Sequence, residues 1–330
     1  MAHTPMGIHA WGRVGGRLQS YRNPKKMNHV SEDGDLELHF DGNVTDEIGI
    51  SANGAAVFGP NGGGGEIQGS FAILDLIARF DIDDAFHIWG GRMLVPSDRA
   101  NFSGTWFEAP WYYPGTFSAH GFVGPHEGPY GRNDGATIWG QAAGGLFKYY
   151  VGAFDLFKNT GAALWTARLN LSLLNPEPGY YHSSTYYGKD IFAIGVGAQM
   201  QKDGSVHAAG VDDFQLINAD VLFEKAVGTG AFDVEGAIYG YGGKGEPFKM
   251  SYLALASYLL PDKIGPGKLQ PLVRLQQAKA RATDKMDTSV EVQLGYPIAL
   301  YDARLAVGYQ HTDNSGVPGN GIYLGAQILK

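Results

Sequence analysis

Six arginines stand where fixed charge can act on something passing by. Arg13, Arg17, Arg79, Arg168, Arg274 and Arg304 each fall within a run of alternating apolar and polar residues, on the polar side. The polar sides of similar runs carry Glu37, Asp41, Asp75, Asp220, Glu224, Asp233, Glu235 and Glu291. Charges of both signs spread over so many segments do not assemble a nucleophile with its base. They suit a field across a passage, which ranks ions by sign and orients dipolar solutes. The other reading is local pairing, in which the charges only hold neighbouring segments together.

No other residue set offers chemistry. GYGGKGEPF resembles a phosphate-cradling loop, but Lys244 is followed by Gly245 and Ile238 stands where the first glycine is needed. His126-Glu127 lacks the second histidine of a zinc-protease helix. The ten histidines are scattered and there is no cysteine. No catalytic residue, cofactor or metal is therefore expected. A net charge of −8 without a basic run argues against nucleic acid as a partner.

The elements that carry these charges read as strands. Helical periodicity is scarce and period-2 alternation recurs throughout. LELHFDGNV puts Leu36, Leu38, Phe40 and Val44 opposite Glu37, His39, Asp41 and Asn43. TARLNLSLL and TSVEVQLGY repeat the pattern. Sixteen such segments are read, at 8–20, 35–44, 47–57, 66–80, 85–94, 135–146, 148–157, 163–174, 190–201, 213–225, 229–240, 249–260, 268–279, 287–297, 302–311 and 321–330. Short links alternate with long ones rich in Gly, Pro and Asn. An even number of bilayer-length strands with short turns at one end and long loops at the other is the layout of an outer-membrane barrel. The reading is an all-β, 16-stranded antiparallel transmembrane barrel forming one domain over 1–330.

Mean hydropathy of −0.17 does not speak against this, because a spanning strand hides its apolar half by alternation. MAHTPMGIHAWGR has no leader-like charge and apolar run, which is expected either of a mature outer-membrane chain or of a cytosolic one. Trp11, Tyr149, Tyr150, Trp165, Tyr252, Tyr258, Tyr296, Tyr301, Tyr309 and Tyr323 lie in strands or near their ends, as membrane-interface aromatics do. A soluble β-rich binding module is the alternative from another class. Asp155 falls on the apolar face of its strand and is expected at the rim. The link 175–189 is too long for a turn; it reads as a subunit contact or as a slip in the strand count.

Three stretches resemble the phosphate-selective porin O/P family. GRVGGRLQSY is similar to its first strand and LELHFDGNVTDEIGISANG to its second and third. LDLIARFDIDDAFHIWGGRMLVP resembles the strand-turn-strand before its long third loop, with Gly91-Arg92 matching, Met93 where an aromatic is usual, and Pro96 following. The likeness covers the first 100 residues best. It implies a homotrimer of barrels in a bacterial outer membrane, in contact with lipid and lipopolysaccharide. It also implies that loop three, 95–134, folds inward as a constriction. Such loops otherwise lie outside the barrel or clasp a neighbour. Outer-membrane barrels usually end in an aromatic, where this chain has Lys330. With 25 basic residues and a negative net charge, phosphate selectivity does not carry over.

The implied function is passive diffusion of small polar solutes and ions. A channel selective for an oxyanion or a sugar is the alternative. The residues expected to line the pore are Arg13, Arg17, Arg79, Arg168, Arg274, Arg304, Glu37, Asp41 and Glu291. Asp98, Glu108 and Glu127 are expected from the loop. Arginines on the wall formed by the first and last strands would face these loop carboxylates across the constriction.

Overall fold

A computed structural model describes residues 7–20, 29–60, 67–104, 106–112, 131–155, 162–314 and 316–330. Sixteen antiparallel strands close into one barrel. They are β1 (Gly7–Ser20), β2 (His29–Asn43), β3 (Ile48–Pro60), β4 (Ile67–Asp83), β5 (Phe86–Leu94), β6 (Arg132–Ala142), β7 (Phe147–Phe154) and β8 (Leu164–Ser172), followed by β9 (Ile191–His207), β10 (Gly210–Val227), β11 (Gly230–Gly242), β12 (Phe248–Leu259), β13 (Gln270–Ala280), β14 (Met286–Pro297), β15 (Ala303–Asn314) and β16 (Val317–Leu329). The ring shuts where β1 pairs with β16, Trp11 opposite Leu329 and Ser20 opposite Asn320. Closure leaves no unpaired sheet edge, the condition for burying strand backbone in hydrocarbon.

β10 shows how alternation becomes architecture. Leu216, Asn218, Asp220, Leu222 and Glu224 are at most 3% exposed, while Ile217 between them is 70% exposed. The apolar side faces out and the polar side faces the lumen. A fully exposed apolar outer surface is costly in water and favourable against lipid. Among the described residues, no helix is long and apolar enough to cross a membrane.

Some boundaries differ from the sequence reading. The links expected at 202–212 and 312–320 are mostly strand: β9 and β10 run on to His207 and Gly210, and β15 and β16 to Asn314 and Val317. These extensions are mostly polar residues, glycine and proline, with single valines at Val206, Val211 and Val317, and so carry little alternation. Loop three ends earlier than expected, at the start of β6. Trp11, Tyr150, Tyr301 and Tyr323 point inward, whereas Trp165, Tyr252 and Tyr309 face out. Asp155 does not face lipid: it is 5% exposed, its backbone is left-handed at φ +60°, and Gln201 Nε2 donates to it at 2.8 Å.

Candidate functional site

The lumen is occupied from both ends. Loop three enters after β5, and Val95 to Ser103 are all buried, the last five as one helical turn, α1 (Arg99–Ser103). The link 173–190 enters from the opposite, short-turn end and meets it. It is neither a turn nor an outward contact surface. Arg99 donates to both carboxylate oxygens of Glu177, at 2.5 and 2.9 Å, and to the Ser183 carbonyl at 3.1 Å. Ser184 N–H donates to the Phe107 carbonyl at 3.1 Å, and Ala109 N–H donates to Ser184 Oγ at 2.6 Å.

Both inward segments are irregular and largely buried backbone, so their enclosed carbonyls and N–H groups need partners. The wall supplies them. Glu224 on β10 accepts from Gly188 N–H at 2.7 Å, Lys189 N–H at 2.6 Å and Thr185 Oγ1 at 2.8 Å. Lys148 Nζ donates to the Gly179 carbonyl at 2.6 Å, and Tyr150 Oη to that of Tyr180 at 3.0 Å. Trp89, Phe102, Trp139, Tyr150 and Tyr180 form one aromatic cluster, with the Trp89 and Tyr180 rings stacked at 4.5 Å.

The arginines of the closing wall bind the far stretch of loop three through its backbone. Arg13 donates to the Trp111 carbonyl and lies over the Trp111 ring at 4.0 Å. Arg274 donates to the Tyr112 carbonyl at 2.7 Å and pairs with Glu291 on the next strand. Arg304 donates to the Glu108 carbonyl and to Gln327 Oε1. Gln293 on β14 accepts from Trp111 N–H at 2.6 Å and donates to the Ala109 carbonyl at 3.0 Å. Gly325 on β16 makes room: a Cβ there would stand 2.2 Å from the Trp111 ring.

These contacts correct the expected opposition of wall arginines and loop carboxylates. A guanidinium offers five donors, and unpaired loop carbonyls compete for them directly. The Glu108 carboxyl is 2% exposed, Oε1 has no hydrogen-bond partner, and burial pushes its pKa up to about 8 against the pull of Arg274 and Arg304. Asp98 accepts instead from Tyr239 Oη at 2.6 Å and Ser97 Oγ at 2.9 Å. Arg168 pairs with Asp220 at 2.6 and 2.9 Å. In the 173–190 link, burial raises Glu177, but Arg99 and His182 outweigh it and hold the carboxyl well below the usual range. Burial drives His182 down to about 4 despite Glu177 at 3.4 Å.

The remaining expected residues sit on the β1–β4 wall. Glu37 accepts from Trp106 Nε1, Asn53 Nδ2 and His39 Nε2 at 2.8, 2.8 and 2.9 Å. Arg79 lies 3.8 Å from Asp41, whose carboxylate is half exposed. The Arg17 side chain and all of Glu127 lie outside the described residues. Sequence reasoning missed the inward link. Its signal was Tyr180, Tyr181, Tyr186 and Tyr187 within one connection, the same aromatic excess that marked loop three.

The architecture matches solved barrels along nearly its whole length. OprB of Pseudomonas putida aligns with a TM-score of 0.66 and 10% identity, over 99% of this chain and 94% of that one. An anion-selective porin from Comamonas acidovorans aligns at 0.61 and 11%, over 98% and 100%. A loop-deleted form of OmpT, an outer membrane protein of Vibrio cholerae, aligns at 0.60 and 15%, over 98% and 99%. The fold is a porin fold. No family model and no curated protein matches the chain, so the phosphate-selective O/P likeness remains one of short N-terminal stretches.

Proposed function

We propose that the protein is a bacterial outer-membrane porin that lets small polar solutes and ions diffuse passively through its lumen. The observation that carries this is the sorting of one closed sheet. Large apolar side chains face out along its strands, from Ile8 at 77% exposure to Leu324 at 64%, while most ionisable side chains of those strands turn inward and exceptions such as Lys225 and Lys279 lie near strand ends. A soluble binding module would have that outer surface in water. The anion-selective porin and the trimer form of OmpT among its structural neighbours support a channel built as a homotrimer. Arg79, Glu37 and Asp41 are assigned to the solute path, and Arg13, Asp98, Glu108, Arg168, Arg274, Arg304 and Glu291 to the seat of the constriction. No reaction is assigned.

A selective channel is the second reading, favoured by the 173–190 link. An unspecific pore gains nothing from a second inward segment that narrows the lumen from the other end.

The test is single-channel recording of detergent-purified protein in planar bilayers. Stepwise conductance closing in threes is the expected result. Protein that stays soluble without detergent and passes no current would overturn the reading.

A further inference from the structure

Between the β1–β5 wall and the two inward segments lies a cavity of 500 Å³, within the size range of small-molecule sites, about 300–1,000 Å³. Its lining is aromatic to a degree that a path for hydrated ions does not need. Trp11, Trp89, Trp106, Phe107, Tyr180 and Tyr181 border it. Trp11 lies 5.6 Å from Trp106 and 5.5 Å from Phe107, edge-on to the latter, and 3.6 Å from the tilted ring of His39. Tyr181 is 38% exposed beside the buried Tyr180 and His182, and it lines the cavity.

Two guanidiniums and three carboxylates border these rings, and each is paired or hydrogen-bonded. Arg132 binds both oxygens of Asp75, at 2.9 and 3.1 Å. Arg79 lies by Asp41 and donates to Asn43 Oδ1 at 3.2 Å. Glu37 is held by three donors. An oxyanion finds each guanidinium here already facing a carboxylate, and an organic cation finds the carboxylates likewise engaged. A wholly apolar solute would strip water from these polar groups without replacing its hydrogen bonds. A sugar ring meets both demands: its C–H faces lie on aromatic rings, and its hydroxyls donate and accept along the polar edge.

We propose that this cavity is a transit subsite for neutral sugars, a pyranose or a short oligosaccharide. The inference rests on the channel reading and names its solute class.

The test is block of ion current by maltohexaose in planar bilayers, with inorganic phosphate as the competing probe. Maltohexaose is expected to interrupt the current reversibly, with a half-blocking concentration below that of phosphate. Trp11→Ala and, separately, Phe107→Ala should raise that concentration roughly two- to tenfold, the worth of one aromatic contact. Trp165→Ala, on the outer face, should leave it unchanged. Open channels that sugar does not block, that phosphate blocks at lower concentration, or that both inner variants leave unaltered would overturn the subsite while sparing the channel. Absence of current from reconstituted wild-type protein would instead overturn the channel reading beneath it.

Discussion

Arg99 and Glu177 face each other as a two-pronged ion pair with both side chains fully buried, joining a loop from one end of the barrel to a link from the other. Few contacts in the molecule depend so completely on both partners. Asn170 and Tyr186 add donors to Glu177 at 3.1 and 2.9 Å, so the carboxylate is satisfied only while the link stays inside.

Removing one partner strands the other. Glu177→Ala should leave Arg99 buried with Asp220, at 3.8 Å, as its nearest carboxylate, at a cost near the low end of about 3–5 kcal/mol. The barrel itself, held by its strand ladders, should persist by circular dichroism. The expected readout is a larger and noisier single-channel conductance as the link loosens. Unchanged conductance and thermal stability would show that the pair is not what holds the link.

Burial holds Glu108 protonated until about pH 8. Its folded pKa lies above its unfolded value, so its contribution to stability is full below about pH 4.5 and is lost as pH rises through 8. Thermal unfolding in detergent should therefore show a decline between those values. Glu108→Gln should flatten it. Persistence of the whole decline in the variant would remove Glu108 as its source.

His182 works with the opposite sign. Its folded value of about 4 is below that of a free histidine, so stability is lost as pH falls from about 6.5 toward 4. His182→Gln should remove that acid-side loss without altering the alkaline one. Loss of both limbs together would mean that the two groups titrate as one unit.

Gly325 is the seat of the Trp111 ring. Gly325→Val should push the ring out, detach Arg13 from it, and widen the channel, read as a higher conductance with strands intact. A conductance equal to wild type would show that the loop end is held elsewhere.

The outward face is tested by a pair of neighbours. Ile217→Arg places a charge in hydrocarbon, at about 2–4 kcal/mol near the midplane. Asn218→Arg, one residue on, faces the packed lumen and should disturb the Ser97 carbonyl it bonds at 3.1 Å. Folding yield into detergent or lipid should fall for the first in thick bilayers more than in thin ones. The second should show no such dependence on thickness.

Strand positions were legible because alternation is forced wherever lipid lies on one side and polar space on the other. Where that asymmetry ends the pattern fades: the outer parts of β9, β10, β15 and β16 have few apolar residues to alternate, and they read as loop. The side of the wall was legible for Arg168, Arg274 and Arg304, but their partners were not. Arg304 meets Glu108 and Arg274 meets Tyr112 across gaps of well over a hundred residues, and no local pattern encodes where a loop docks. The 173–190 link was visible as an anomaly of length and tyrosine content, yet its direction depended on Glu177 finding Arg99.

The closing seam also sets an order of events. Loop three is made early in the chain, but the far end of its described part is gripped by Gln293, Arg304, Gly325 and Gln327, on β14 to β16, and by Arg13 on β1. β14, β15 and β16 pair with one another in sequence, but β1 and its Arg13 join them only when β16 zips onto β1. Until then Trp111, which lies between Gly325 and Arg13, has only part of its berth. The last strand to join is thus also the latch that seats the constriction, and a barrel that stalls one strand short would carry its aromatic loop unhoused.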